Sequence, residues 1–323
     1  VTTLDLGLDA RFFNDALGVT FDWYNRTTSD ILTTANLPAT LGADAPYENM
    51  GTIQTKGWEL AIDYRHTFKN GLHFGVTASV ADDKTEVTKW TYNTKIPSYG
   101  ATGWWDKSAY KEGMVLGDIW GLQFDRFLTE DDFNADGSLK AGLPDQTKVF
   151  PAGYQFAPGD VLYKDLDNNG EIVKQTNTND KGDLSVIGNA LPRLQFGLNL
   201  DAAWKGFDIS MFFQGVAKRK LWAAGNQVLP GFTTGEPFYK GAEDYWTPEN
   251  TDAFYPRPMD YKQSASGNYS VNDRYLLNMA YLRLKTFTVG YSLPKVWLSK
   301  FKVQGLRVYF TGENLFTIDA VSY

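Results

Sequence analysis

The sequence predicts an all-β fold of long antiparallel strands, of the kind that closes into a transmembrane barrel. Apolar and polar residues alternate along most of the chain, and no stretch has convincing helical periodicity. The predicted strands are longer than the roughly 5–6 residues that are usual in globular sheets. Short and long connections alternate between them, as in barrels whose short turns lie on one side of the membrane and long loops on the other.

Composition narrows the class of protein further. The 323 residues contain no cysteine, which leaves out disulfide frameworks, zinc–thiolate sites and thiol nucleophiles. The net charge of −7 argues against a nucleic-acid-binding surface, which should be basic. Aromatic residues make up 15% of the chain, and no run of 18 apolar residues predicts a transmembrane helix. These features favour an exported β-protein with a carbohydrate or membrane interface.

Eight long strands follow from the alternation. In the first, apolar residues from Leu4 to Phe12 alternate with polar ones, and the second begins at Val19 after a turn near Asn14. The Asn-Gly pair at Asn70 predicts a tight hairpin turn, because these residue types accept positive φ angles. The predicted strands cover about 4–12, 19–24, 58–65, 72–88, 192–204, 207–213, 281–293 and 303–316.

The connections between these strands are of two kinds. Short ones lie near Asn14, Asn70 and Lys205 and at the segment PKVWLSKFKVQG, and long ones cover 33–49, 89–191 and 221–274. Residues 113–128 look strand-like, but one wall-spanning strand there would break the up-and-down order of the strands on either side. We therefore expect 89–191 to be one folded excursion, with 113–128 outside the wall.

An acidic loop lies inside this excursion, in the stretch YKDLDNNGEI. Asp165, Asp167, Asn169 and Gly170 have the spacing of the first half of a calcium-binding EF-hand loop. The twelfth position of such a loop should carry a bidentate acid, but it is Thr176 here, and no helical pattern flanks the loop. The competing interpretation is a solvated turn, because Asp, Asn and Gly are ordinary turn residues.

Aromatic residues in the long connections are candidate substrate contacts, since the C–H faces of sugars stack on such rings. The candidates are Trp90, Tyr92, Trp104, Trp105, Trp222 and Trp246. The competing interpretation is structural, because membrane-interface belts and the small cores of folded loops also use Trp and Tyr.

No catalytic constellation stands out. The sequence lacks G-x-S-x-G, P-loop and dinucleotide-binding motifs, and nothing singles out a facing pair of acids as a glycosidase needs. His66 and His73 lie near one hairpin, where strand pairing explains their nearness better than a metal site. We therefore expect a protein that is not an enzyme.

Three stretches resemble the SusC-like (SusC/RagA) TonB-dependent outer-membrane transporters. They are DLGLDARFFNDALGVTFDWYNRTTSDIL; PGDVLYKDLDNNGEI followed by VIGNALPRLQFGLNLDAAWKGFDISMFFQG; and AYLRLKTFTVGYSLP followed by LRVYFTGENLFTI. The stretches occur in the family's order and reach from the first residues to the last.

The resemblance implies a barrel of about 22 strands filled by a plug domain. Residues 1–323 would form a partial barrel domain of about eight wall strands, with 89–191 and 221–274 extracellular. The plug, the earlier strands and the final strand are expected to lie outside this carboxyl-terminal fragment.

The resemblance also implies a structural calcium ion in the acidic loop. The family places its closing acid shortly before Ile-Gly, a position that Asp183 matches across an inserted segment. The expected ligands are the side chains of Asp165, Asp167, Asn169 and Asp183, with a backbone carbonyl near Glu171.

The function implied by the resemblance is nutrient import across the outer membrane of a Gram-negative bacterium. A SusD-like surface lipoprotein would close over the barrel and trap an oligosaccharide or a peptide, and TonB would act through the plug. Outer-membrane lipid is the third expected partner, and nucleic acid is not expected. The alternative is a secreted, calcium-dependent carbohydrate-binding β-protein, which would explain the acidic loop and the aromatic residues but not the alternating connections.

Overall fold

The computed structural model describes residues 1–34, 42, 46–91, 111–174, 180–225, 228–231, 239–259 and 267–321. The strands in this part are β1 (Thr2–Phe12), β2 (Leu17–Thr34), β3 (Tyr47–Thr67), β4 (His73–Trp90), β5 (Asp118–Gly121), β6 (Phe124–Phe127), β7 (Val161–Tyr163), β8 (Ser185–Asn189), β9 (Arg193–Trp204), β10 (Phe207–Lys218), β11 (Lys220–Trp222), β12 (Leu276–Asn278), β13 (Tyr281–Ser292) and β14 (Arg307–Asp319). Short helical turns are α1 (Lys295–Leu298) and the 3₁₀ turns Glu130–Asp132, Lys240–Glu243 and Ser299–Phe301. No helix among the described residues is long and apolar enough to cross a membrane.

Eight strands form one antiparallel sheet in the order β1-β2-β3-β4-β9-β10-β13-β14. We call this sheet the wall. The register places apolar residues of neighbouring strands on one face of the wall and polar residues on the other. One cross-strand row consists of Leu8, Phe21, Leu60, Val80 and Phe196, and the adjacent row, on the other face, consists of Asp9, Thr20, Ala61, Ser79 and Gly197. The wall therefore has one apolar and one polar face, as the period of two predicts.

Cross-strand polar contacts stabilise the polar face. The Thr20 hydroxyl donates to Asp9 at 2.6 Å, and Arg11 pairs with Asp63 at 2.7 Å. The apolar face carries many exposed side chains, among them Leu4, Leu6 and Leu8. This distribution is the reverse of a soluble sheet, which covers its apolar face with a core.

The short connections all lie at one end of the wall. The tightest joins β9 to β10 through Lys205 and Gly206, whose φ angles of 49° and 88° are those of a tight hairpin turn. The others lie between β1 and β2, between β3 and β4, and between β13 and β14.

The first long connection is shorter than the predicted loop 33–49. β2 extends to Thr34 and β3 begins at Tyr47, so the hairpin continues past the region of clear alternation. Ladder hydrogen bonds, with Thr34 opposite Tyr47, extend the strands where side chains give no pattern. The register shifts near Asp30, whose φ is 58°, mark the start of this extension.

The remaining strands lie in the other two long connections, between β4 and β9 and between β10 and β13. Residues 113–128, which strand parity excludes from the wall, form β5 and β6, and these pair with β8 and β7. We call the described residues of 111–192 and 219–280 the loop module.

Among the described residues, two hydrophobic core clusters occur, and both lie in the loop module. The buried members of the first are Leu122, Phe127, Val149, Phe150, Val161, Tyr163, Ile172, Trp246 and Ala253. Those of the second are Ile119, Trp222, Leu229, Tyr255, Tyr269 and Tyr275. Each cluster draws on both connections, so the two connections fold together.

Candidate functional site

The two connections of the loop module are joined by a buried ion pair. Asp160, in the first connection, is fully buried and accepts hydrogen bonds from Arg257 of the second at 2.8 and 3.2 Å. The Tyr154 hydroxyl and the Asn268 amide donate to the same carboxylate at 2.8 and 3.0 Å. Arg257 therefore compensates the charge of Asp160, and the carboxylate oxygens accept hydrogen bonds, as burial of a carboxylate requires.

Arg274 makes a second joint. It donates to the carbonyls of Ala253 and Phe254 at 2.7 and 2.8 Å, within its own connection. Its guanidinium also lies 4.4 Å from the ring centre of Phe124 and 5.0 Å from that of Phe127, both in the first connection. Cation–π contacts of this kind contribute about 0.5–2 kcal/mol.

The acidic loop lies on the surface of this module, and its own side chains hold it in shape. The backbone N–H of Gly170 donates to Asp165 at 2.8 Å, and that of Asn169 donates to Asp167 at 3.1 Å. The N–H of Glu171 donates to the Asn169 side chain at 2.7 Å. Positive φ angles at Asn168 and Gly170, 58° and 86°, let the chain turn sharply.

Asp183 holds the loop from outside it. Its carboxylate is fully buried and accepts hydrogen bonds from the backbone N–H of Leu166 at 2.8 Å and of Val173 at 2.7 Å. Its neighbour Gly182 permits this approach, since a Cβ there would lie 2.4 Å from the Val173 carbonyl oxygen. Asp183 thus reaches the loop although it follows an inserted segment, of which 175–179 lie outside the described residues.

Three carboxylates converge at this place. Asp165, Asp167 and Asp183 each offer one oxygen, and these oxygens lie within 4.8 Å of one another. Calcium binds oxygens at about 2.3–2.6 Å, so two oxygens on one ion lie at most about 5 Å apart. The donor set therefore fits a hard cation such as Ca²⁺, and the remaining lone pairs of the hydrogen-bonded oxygens stay available to it.

The other two predicted ligands are engaged differently. The Asn169 side-chain oxygen accepts the Glu171 N–H, and the Glu171 carboxylate forms an ion pair with Lys148. The Glu171 side chain therefore contributes to surface pairing, and only its backbone carbonyl remains as the predicted ligand. Calcium in this loop stays a prediction.

The electrostatic environment differs between Asp165 and Asp167 of the loop. Hydrogen bonds from the backbone, that of Gly170 above all, lower the pKa of the Asp165 carboxyl. Desolvation raises the pKa of the Asp167 carboxyl, and the charges of Asp183 and Asp165 raise it further. A cation between these groups would relieve that repulsion.

Some of the aromatic residues predicted to contact substrate are buried in the structure, and others lie outside the described residues. Trp222 and Trp246 are only 2% and 6% exposed and belong to the two cores. A Cβ at Gly159 would lie 2.5 Å from the Trp246 ring, which shows how closely that ring packs on the backbone. This burial favours a structural role for both rings over stacking on a substrate, because their faces are covered by protein.

Trp90 ends β4 and is also buried; its ring packs against the backbone of Gly51 in β3, leaving no room for a Cβ there. Tyr92, Trp104 and Trp105 lie outside the described residues. For these three, substrate contact stays a prediction.

A cavity of about 450 Å³ in the second connection was not predicted from the sequence. Its lining residues are Pro230, Tyr239, Lys240, Ala242, Glu243, Tyr245, Tyr255, Pro256, Pro258 and Tyr269. Tyr239 and Tyr245 are exposed, whereas Tyr255 and Tyr269 belong to the second core and fix the cavity wall. Ligand pockets commonly have this size and aromatic lining. The only signal for it in the sequence is the density of Tyr and Pro between 239 and 258.

Comparison with known proteins relates this arrangement to one family. The family model "TonB dependent receptor-like, beta-barrel" matches residues 1–169. TonB-dependent receptor P3 of Formosa agariphila is 28% identical over 97% of this chain and 29% of its own length. TonB-dependent receptor SusC of Bacteroides thetaiotaomicron is 22% identical over 98% of this chain and 28% of its own length. The chain thus spans less than a third of the curated relatives that it matches.

Solved structures agree with this comparison at the level of the fold. The structure of the RagAB peptide transporter matches 98% of this chain and 31% of its own, with a TM-score of 0.70 at 19% identity. The RagAB peptide importer in the open-open state matches 99% of this chain, with the same TM-score at 20% identity.

Proposed function

Because the chain belongs to the family of TonB-dependent receptor-like β-barrels, we propose that it is part of an importer that carries nutrients across the outer membrane. The resemblance and the fold class expected from the sequence are confirmed: the chain is all-β and forms part of the wall of a transmembrane antiparallel barrel. Barrels of this family reside in the outer membrane of Gram-negative bacteria.

One observation carries the proposal most directly. The eight-stranded wall is apolar on one face and polar on the other, and its β4–β9 and β10–β13 connections fold together into a module at one end. A barrel built from such a wall has a polar lumen for a plug and a solute, and a lipid-facing outer surface. The loop module would then stand over the mouth of the lumen.

The substrate is an oligosaccharide or a peptide, caught between the loop module and a SusD-like lipoprotein. A peptide cargo is supported by one similar solved structure, which is a peptide transporter. An oligosaccharide cargo follows from the resemblance to SusC-like transporters. The cavity lined by Tyr239 and Tyr245 supplies exposed rings for either cargo, in place of the buried Trp222 and Trp246. TonB would act through a plug domain.

Calcium would have a structural role in this importer. Asp165, Asp167 and Asp183 would hold the ion, tying the acidic loop to the first core through the adjacent Ile172. Bound there, the ion would supply charge neutralisation and oxygen coordination rather than chemistry on the substrate. The relatives are named receptors, and we place no catalytic step in this chain.

The secreted carbohydrate-binding alternative loses its support. A soluble protein would not expose the apolar wall face, and the matching family is a barrel family. The acidic loop and the aromatic residues, which motivated that alternative, are accommodated in the loop module.

Uptake by cells tests the proposal. The full-length protein would be expressed with a SusD-like lipoprotein in a strain with and without TonB, and uptake of labelled oligosaccharide and peptide pools would be measured. We expect uptake of one pool, lost without TonB. Equal uptake of that pool in both strains would contradict TonB dependence, and no uptake of either pool would contradict the cargo class.

A further inference from the structure

The connection between β13 and β14, residues 293–306, is the longest of the four short connections of the wall. It contains Lys295, Lys300 and Lys302 and no acidic residue, in a chain whose net charge is −7. It also contains an apolar group, Val296 and Trp297, within the same few residues. Cationic side chains next to Trp and aliphatic side chains are typical of a segment that lies on a membrane surface.

The structure exposes both parts of this composition. Val296 is 74% and Trp297 is 59% exposed on the short helix α1, whereas Leu298 is buried and fastens the segment. Val303 and Leu306 continue the exposed apolar surface. The three lysines are exposed as well. Nothing in the described part of the chain covers this surface.

The position of the segment matches the boundary of the apolar wall face. It joins Ser292 to Arg307, directly beside the outward pair of Tyr291 and Val308, and the Tyr291 ring lies 4.4 Å from that of Phe207. Exposed aromatic side chains mark the other short connections at this end: Phe13, Phe68, Trp204 and Phe207. Aromatic rings in such a row belong at the headgroup level of a bilayer.

We propose that residues 293–306 bind anionic phospholipid in the membrane leaflet that faces the periplasm. Val296 and Trp297 enter the boundary between headgroups and acyl chains, and Lys295, Lys300 and Lys302 contact lipid phosphates. Apolar insertion and attraction to anionic headgroups reinforce one another in such segments. Two features favour lipid over a protein partner: the neighbouring row of exposed aromatic rings, and the positive charge of the lysines, which is complementary to anionic headgroups. The inference rests on the placement of the barrel in the outer membrane, and not on the identity of the cargo.

Spin labelling tests this assignment, helped by the absence of cysteine from the chain. Val296→Cys and, as a control on another short turn, Lys69→Cys would each be introduced into the full-length protein, with any cysteine outside residues 1–323 replaced by Ser, and labelled. Both would be reconstituted in phosphatidylcholine vesicles with and without phosphatidylglycerol. Collision with oxygen, which concentrates in the bilayer, would be compared with collision with a water-soluble nickel chelate. Heat-modifiable gel migration would verify that each barrel is folded.

We expect the label at 296 to collide several-fold more with oxygen than with nickel, relative to the label at 69. Phosphatidylglycerol should increase this ratio, and replacing Lys295, Lys300 and Lys302 together by Gln should abolish the increase. High nickel accessibility at 296 would show a segment free in water and overturn the proposal. Protection from both reagents would show a covering protein segment and would also overturn it. An oxygen preference independent of phosphatidylglycerol would overturn the anionic-lipid assignment.

Discussion

Asp183 holds the acidic loop closed through both of its carboxylate oxygens. One accepts the N–H of Leu166, before the turn, and the other accepts the N–H of Val173, after it. The loop is therefore shaped before any cation binds, which reduces the ordering cost of binding. Such a preformed set of carboxylates favours the binding of a structural calcium ion.

Asp183→Ala is expected to abolish calcium-dependent stabilisation. In the parent protein the thermal midpoint of the loop module should rise with calcium, and in the variant it should not. The variant should also be less stable without calcium, because each buried N–H left without an acceptor costs about 1–3 kcal/mol. Thermal unfolding of the full-length protein with calcium or a chelator measures both effects.

Asp136→Ala is the control for this experiment. Asp136 shapes another acidic turn by accepting the N–H of Ser138, but it does not belong to the converging carboxylates. Calcium dependence should survive in this variant. Calcium dependence that also survives in Asp183→Ala would refute the ligand assignment, and its absence from the parent protein would refute the calcium proposal itself.

Asp132 predicts a pH dependence of stability in the loop module. Arg126 donates to both of its oxygens at 2.6 and 2.7 Å, which holds the pKa of the carboxyl at about 2, below its ordinary 3.8. A carboxyl whose pKa is lowered by folding stabilises the protein fully above the unfolded-state pKa. This contribution is lost as pH falls from about 4 towards 2.

Asp132→Asn should therefore destabilise the module by about 1–2 kcal/mol at neutral pH, allowing for the partial exposure of Arg126. The difference between parent and variant should shrink as pH falls below about 4. Urea unfolding followed by tryptophan fluorescence at pH 7 and pH 3 measures the two differences. A difference that is equal at both pH values would exclude the ion pair as its source.

At the level of residues, a local signal in the sequence predicts where the acidic loop lies, and its role in binding calcium stays a prediction. The spacing of Asp165 and Asp167 identifies the acidic loop, and the resemblance identifies Asp183 across the insertion. The burial of Trp222 and Trp246 could not be predicted, because tryptophan can either stack on sugars or fill a core. The tyrosine cavity was missed because folding alone brings Pro230 and Tyr269 to the 239–258 segment.

At the scale of elements, the wall strands could be predicted because apolar and polar residues alternate with a period of two along consecutive positions. Their ends were predicted less well, since β2 and β3 extend beyond the alternating region through backbone pairing alone. The short strands β7, β8, β11 and β12 carry no pattern, and partners distant in sequence select them.

Adjacent positions of β9 test which face of the wall meets lipid. Leu198 pairs with Ala78 and Phe213 on the apolar face, and Asn199 pairs with Thr77 and Phe212 on the other. Leu198→Arg should destabilise the barrel by about 2–4 kcal/mol if it lies near the bilayer midplane, because a cation there faces hydrocarbon. Asn199→Arg should have a much smaller effect, since its side chain points into the lumen.

Urea unfolding of the full-length protein from lipid vesicles measures both variants. The matched pair removes the general effect of adding an arginine to the same strand. A larger cost for Asn199→Arg than for Leu198→Arg would reverse the assignment of the two faces.

At the scale of the whole molecule, the chain divides into a wall that needs lipid and a loop module that has its own cores. Asp160 and Arg257 link the two connections of the module. Arg257→Gln should lower the free energy of unfolding of the module by about 3–5 kcal/mol, because it leaves a buried carboxylate without its cation. The wall shares none of these contacts and should stay folded.

Limited proteolysis and heat-modifiable migration separate the two effects. The Arg257→Gln module should be cut faster while the barrel keeps its folded migration. Lys148→Gln removes an exposed pair with Glu171 and should change neither result, since such pairs contribute little. Equal proteolysis rates for Arg257→Gln and the parent protein would show that the two connections do not depend on this joint.

We expect the strands to cross the outer membrane, with the loop module outside the cell and the short turns in the periplasm. Single cysteines at Ala135, in the module, and at Lys69, in a short turn, test this topology through labelling by a membrane-impermeant maleimide in cells. The cells would express the full-length protein with any cysteine outside residues 1–323 replaced by Ser. Both positions are exposed. Ala135→Cys should be labelled in intact cells, and Lys69→Cys only after the outer membrane is permeabilised. Labelling of Lys69→Cys in intact cells, or protection of Ala135→Cys, would contradict this topology.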